Sequence, residues 1–310
     1  MNIQEAQPDF DSYYGRPIIK APIWEPAIPW YFFLGGIAGA SAALGLAARA
    51  AGNEPLARNA TFVGAAAIGV SPILLTADLG RPERFYNMFR LVKVTSPMSV
   101  GTWILAGSGT ALGVAGACEA LGILPRVKLA AQTAAGLLGP PLTTYTAALV
   151  ANTAVPVWHE ARRELPFVFA GSAAASAGAA AAIVTAPAQA GAARRLAIAG
   201  ALLELAATKA MERRLGQLVG EPYRQGAAGR LTRLAKGCTA AGGALVALAG
   251  RRRAGAAIGG GLLLAGSLCE RLAVYRAGTQ SAVDPKYTVV PQRERAARIG
   301  SKATTRPAGS

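Results

Sequence analysis

Long runs rich in Ala, Gly, Leu, Ile and Val, without Asp, Glu, Lys or Arg, alternate along the chain with short charged clusters. Runs of about 20 apolar residues predict helices that cross a bilayer. Eight are expected, at about 27–48, 56–77, 98–121, 128–153, 166–186, 196–211, 231–249 and 254–275. Their boundaries carry turn and charge signals: ADLGRPERF after the second run, Gly122 after the third, HEARRELP after the fourth, and the basic turn Arg251, Arg252, Arg253 after the seventh. The pattern predicts an all-α polytopic membrane protein of eight transmembrane helices in two four-helix bundles, 27–153 and 166–275, joined by a hinge at 154–165. A polar segment, 1–26, precedes them and holds no apolar stretch behind a basic start, so no cleavable leader is expected. A basic tail, 276–310, follows, expected to be extended and ordered only by a partner. Gly139, Pro140 and Pro141 are expected to break the fourth helix, as happens where backbone lines a cavity.

Composition agrees with the pattern. Of 310 residues, 52% are hydrophobic and 15% charged; the mean hydropathy, +0.33, is held down by Ala, Gly and the tail. A net charge of +16 would suggest nucleic acid in a soluble chain. Here the basic residues flank apolar runs, so the lipid bilayer and a protein partner, and no nucleic acid, are the expected counter-charges. Cys118, Cys238 and Cys269 form no C-x-x-C pair, which excludes a cysteine-held iron–sulfur cluster in this chain, and one histidine excludes a bis-histidine haem. Of the 32 Lys and Arg residues, 23 fall on the side of the predicted helices that carries both termini. The positive-inside rule then places both termini in the cytoplasm, with the chain a multi-pass protein of the cell membrane.

Candidate chemistry gathers on that same side. Tyr145, Asn152 and His159 are spaced by seven, so on one helix they would share a face, although Pro156 disfavours helix at Val155. The aromatic cluster Trp24, Trp30, Tyr31, Phe32, Phe33 opens the first helix, Asp78 and Arg81 close the second, and Glu160 follows the only histidine. A quinone would use this combination: a donor to its carbonyl oxygens from Tyr145 or Asn152, ring contact from Trp30 or Tyr31, and a proton path through Asp78, Arg81, His159 and Glu160. Each has a structural alternative. Tyr145 and Asn152 can join helices, the aromatics can form an interface belt, and Asp78 with Arg81 can order a loop. Glu119, Glu204 and Glu270 lie at or inside runs, with Glu119 and Glu270 read as solvated near helix ends. Phosphate-loop, zinc-protease and serine-hydrolase motifs do not occur. A secondary transporter, favoured by a broken fourth helix and buried acids, is the alternative from another class.

YFFLGGIAGA, LLTADLGRPERFYNMFR, SPMSVGTW and TYTAALVANTAVPVWHEARRELPFVFAGSAAA together resemble the NrfD family, the membrane subunits of polysulfide-reductase-like complexes. DPKYTVVPQRER in the tail resembles actinobacterial members. The resemblance implies an eight-helix anchor without haem that oxidises or reduces menaquinone. It also implies two partners, a four-cluster iron–sulfur protein and a molybdopterin catalytic subunit. The family's quinone tyrosine falls on Tyr145, and its loop acid and arginine on Asp78 and Arg81. Where members place Asn and His at the start of the first helix, this chain has Pro29, Trp30 and Tyr31. Better-known members turn this site to the periplasm, opposite to the charge count.

Overall fold

Nine α-helices account for most of the described residues, which in this computed structural model are 19–20, 22, 27–77, 81–90 and 92–293. They are α1 (Ala27–Ala50), α2 (Glu54–Ala77), α3 (Pro97–Leu121), α4 (Pro125–Ala151), the short α5 (Pro156–Glu160), α6 (Leu165–Val184), α7 (Gly191–Leu215), α8 (Gly226–Ala249) and α9 (Arg253–Val283). Two 3-10 segments, Pro82–Phe89 and Glu221–Tyr223, and a helical stretch at 286–293 complete the described elements, and no strand occurs among these residues. Five helices, α1, α2, α3, α6 and α9, are long and apolar enough to cross a membrane by length and composition.

Local chemistry sets the boundaries. Proline opens α3, α4 and α5, where a missing N–H costs nothing. Ser96 caps α3 by accepting from the Ser99 N–H, and Gly122 closes it in the left-handed region at φ 66°. Side by side, α1 packs on α2 and α4, and α3 on α2 and α4; α6 packs on α7 and α9, and α8 on α7 and α9. The two sets meet through α1 and α4 against α6, and α1 against α9. The ends of α2, α4, α7 and α9 return to the side on which α1 begins, here called the terminal face.

Three expectations change. Gly139, Pro140 and Pro141 do not break the fourth helix: α4 runs without interruption from Pro125 to Ala151. Proline keeps a helical φ, and its cost here is a lost hydrogen bond and ring crowding. The Thr143 and Thr144 hydroxyls donate to the Pro140 carbonyl, at 2.7 and 3.2 Å. Gly39 and Gly139 also bring α1 and α4 together backbone to backbone, so this stretch is packed in protein.

Second, Tyr145, Asn152 and His159 do not lie along one helix. Asn152 is the residue that caps α4, at φ −88° and ψ 37°, and Val155 is extended at ψ 119°, as its position before Pro156 requires. His159 therefore belongs to α5. Third, the expected tail from 276 is helical over most of its described length. α9 continues to Val283, residues 286–293 are helical, and Tyr287 is buried. The cause is a tertiary contact that α5 makes. Trp158 is fully buried and donates from its indole nitrogen to the Val274 carbonyl at 2.8 Å, while a side chain at Gly278 would fall inside its ring. Ala277, Ser281 and Ala282 are buried with it, which holds the last turns of α9 in place.

Candidate functional site

The predicted residues divide between a seam inside the protein and a cleft on the terminal face. Tyr145 lies six residues before the end of α4, about 9 Å along the axis. Its ring lies against α3 at Gly101, where an added methyl would meet ring carbons Cδ2 and Cε2 at 2.5 Å. Its hydroxyl is buried and has no hydrogen-bond partner among the described residues. A buried donor left unpaired carries a cost that a ligand oxygen would relieve.

Leu138 stands seven residues before Tyr145 and so shares its face of α4. It lines an apolar groove of about 300 Å³ with Val92, Val94, Val100, Trp103 and Ile104. Trp103 and Val94 are exposed there, and Phe89 meets Trp103 edge-on at 5.8 Å. The groove thus opens outward on the α3–α4 seam that holds Tyr145.

At the terminal face His159 and Glu160 border a second cleft, of about 260 Å³, between the α4–α5 link and residues 287–292. Thr153, Ala154, Pro156 and Tyr287 complete most of its wall. His159 is exposed, and its carbonyl accepts from Arg162 at 3.0 Å. Arg214 binds the Glu164 carboxylate at 2.5 Å and the Glu160 carbonyl, tying α7 to this link. The far wall is fixed by charge: Lys286 meets Glu221 at 2.9 Å and Asp284 at 3.5 Å, and the Tyr287 hydroxyl donates to Glu221 at 3.2 Å. The hydrogen bond from Lys286 holds the Glu221 carboxyl below its ordinary range, and the same bond raises the Lys286 ammonium. Burial raises the Tyr287 phenol.

The other candidates are not brought together with these. Asn152 is exposed at the end of α4. Trp30 is exposed at the start of α1, edge-on to Phe33 at 6.4 Å, whereas Tyr31 is buried against Phe32 at 5.8 Å. Arg81 is exposed just before Pro82–Phe89, and Asp78 lies outside the described residues.

Sequence reasoning passed over several residues that shape this region. Gly101, Trp158, Gly278 and Tyr287 gain their roles from contacts distant in sequence, which no local pattern announces. The sequence pattern sets Glu270 near a helix end, in water, but α9 is longer than that pattern predicts and Glu270 is buried. Beside it, Arg271 is also buried, with its guanidinium 3.6 Å from the centre of the Phe169 ring and donating to the Phe169 carbonyl at 2.9 Å. A charged pair, Glu-Arg, inside an apolar run was the signal available for both.

A search of curated proteins finds no match to the chain. The family model described as polysulphide reductase, NrfD, matches residues 19–220, from ahead of α1 through the seam, the α4–α5 wall of the cleft and α7, and the chain belongs to the NrfD family.

Proposed function

We propose that this chain is the quinone-reactive membrane anchor of an oxidoreductase complex, passing electrons between menaquinol or menaquinone and an iron–sulfur partner. The observation that carries the reading is the Tyr145 hydroxyl, buried without a partner between α3 and α4, the two helices that also supply Trp103, Ile104 and Leu138 to an outward-facing apolar groove. A quinone needs an apolar slot for its tail and a donor for its carbonyl oxygen, and this seam offers both. Asn152, Trp30 and Tyr31 lie at the terminal ends of α4 and α1, where they border entry from the headgroup region. Arg81, and His159 and Glu160 of α5, lie between the long helices on the same face, where protons exchange with water, and Asp78 precedes Arg81 by three residues in the sequence.

In this reading the chain crosses the bilayer eight times as two four-helix bundles. Helices α4, α7 and α8, of 27, 25 and 24 residues, are about 36–40 Å long, enough to span a 30 Å core. The four-cluster iron–sulfur protein covers the terminal face, with the molybdopterin catalytic subunit beyond it. The Lys and Arg count puts that face in the cytoplasm. The transporter alternative loses one of its two supports, because α4 is continuous, and keeps the other in the buried acids Glu204 and Glu270.

The test is the quinone itself. The purified chain, alone and with its co-purifying subunits, is analysed for bound menaquinone by mass spectrometry and titrated with a short-chain menaquinone analogue. Tyr145→Phe removes one donor and is expected to weaken binding about tenfold or more while leaving the fold intact. Unchanged affinity in a folded variant overturns the role of Tyr145, and no quinone binding by the parent overturns the function.

A further inference from the structure

Glu204 on α7 and Glu270 and Arg271 on α9 are 2%, 5% and 1% exposed, well inside the second set of helices. Glu204 Oε1 accepts from the Thr239 hydroxyl at 3.1 Å, and Arg271 Nη1 approaches Glu270 Oε2 at 3.5 Å. Beyond that, Glu204 Oε2, both oxygens of Glu270, Nε and Nη1 of Arg271 and the Tyr223 hydroxyl are buried without hydrogen-bond partners. With all three groups ionised, two carboxylates face one guanidinium, and one negative charge is left uncompensated in a dry interior. Such a charge is costly, and one proton on the carboxylate pair removes it.

The surroundings give that proton a route on one side. A cavity of about 20 Å³, large enough for one water, is lined by Glu204, Thr208, Tyr223, Thr232, Lys236 and Glu270. Its lining extends to Tyr223 and Lys236 on the side of the terminal face, where Lys236 pairs with Glu212 in the last turn of α7 at 2.5 Å. On the opposite side the helices are in backbone contact. A methyl on Gly200 would meet Ala175 and Gly171, one on Gly178 would meet Ala193 and Ala197, and one on Gly242 would meet Gly259 and Leu263. The groups facing the pair are the Ser172 hydroxyl from α6, Glu212 from α7, Lys236 and Thr239 from α8, Arg271 and Ser267 from α9, and Tyr223; from α1, Gly36 approaches Arg271 with no polar side chain.

We propose that Glu204 and Glu270, balanced by Arg271, form a buried proton-exchange site that opens to the terminal face alone. The proton passes between carboxylate oxygens and water in the cavity, with no bond to carbon made or broken. The site is independent of the quinone seam and requires no redox partner.

Infrared difference spectroscopy after pH jumps on the full chain in lipid nanodiscs tests it. The parent is expected to give a carboxylic-acid C=O band that shifts in heavy water. Glu204→Gln and Glu270→Gln, each checked for folding, are expected to remove or shift the band, and Glu119→Gln to leave it. Absence of the band, or a band that neither substitution alters, overturns the site. Loss of the band on replacing choline by sodium overturns it in favour of a metal cation. Thr208→Leu, filling the cavity, is expected to slow deuterium exchange of the band roughly tenfold, a barrier raised by about 1.4 kcal/mol. Unchanged exchange overturns access from the terminal face. Quinone is absent throughout, so the outcome is separate from that of the Tyr145 test.

Discussion

In the first set of long helices the buried side-chain atoms without partners are all hydroxyls, those of Ser41, Ser71, Ser108 and Tyr145. Its charges sit at the face opposite the termini. There Arg49 bonds Gln132 and pairs with Glu54 at 2.8 Å and Glu119 at 3.3 Å, while Lys128 reaches Glu119 at 3.2 Å. In the second set the unpartnered atoms belong mostly to ionisable groups held in the interior, Glu204, Glu270 and Arg271. A lone hydroxyl is cheap to keep dry beside an ionised group, so the two halves tolerate polarity at different energies. The first is suited to a neutral ligand that needs a hydrogen-bond donor. The second holds charges that must be balanced by one another or by a proton.

Removing one partner from each half exposes the contrast most strongly. Arg271→Met leaves both carboxylates without a cation and deletes the contacts to Phe169, and is expected to cost about 3–5 kcal/mol. Ser71→Ala removes a fully buried hydroxyl that bonds nothing among the described residues and is expected to stay within about 0.5 kcal/mol of the parent. Reversible unfolding in mixed detergent micelles measures both. Equal losses would erase the difference between the halves.

A smaller effect separates the two interiors by location. Gly101→Ala places a methyl against the Tyr145 ring, and overpacking of this kind costs about 1–3 kcal/mol. The displaced ring is expected to lower affinity for a menaquinone analogue, while the carboxylic-acid band of the second half stays in place. Quinone titration and infrared spectra on the same preparation check both expectations. A change in the band would mean that the two regions are coupled through the contacts of α1 with α6 and α9.

How far the sequence carried the fold follows from the same residues. The helices of both halves were legible because apolar runs end at strong breakers, such as Gly122 and Pro125, which act locally. The continuity of α4 was not legible, since Pro140 and Pro141 read as a break until Thr143, Thr144 and Gly39 supply their packing. The length of α9 was hidden for a related reason. Arg276 and Gln280 look like tail, and only the seat of Trp158 on Gly278 makes the segment helical and buried. Tyr145 stood out as a phenol in an apolar run, but its berth on Gly101 is a contact between residues 44 apart. A helix ending near Tyr275 sets Glu270 near water, so the charged cluster of the second half is hidden from the sequence until α9 extends to Val283.

The smallest expected effect concerns charge that is neither buried nor at the far face, the pairing of Glu221 with Lys286 and Tyr287 beside the His159 cleft. Glu221 is held below its ordinary value, so its contribution to docking of 286–293 is present above the usual glutamate range near ~4.3 and is lost as pH falls through the lowered value. Lys286 is raised, so its contribution is complete below the usual lysine value near ~10.4 and is lost as pH rises through the raised one. Tyr287 is raised as well and weakens on the same alkaline side. Docking is therefore strongest between these limits, and the change at either end is small because solvent screens the Lys286 side chain, 41% exposed. A nitroxide attached through Thr288→Cys is expected to be immobile across the window and to gain mobility on both sides of it. Glu221→Gln should remove the acid limb, and Lys286→Met should reduce the alkaline limb to the part that Tyr287 contributes. Because Glu204, Glu270 and Arg271 are untouched by either substitution, the infrared band of the interior should titrate as in the parent; if it moved with the label, the surface pairing and the buried cluster would be one electrostatic unit, and the separation of the second half into a screened rim and a dry interior would fail.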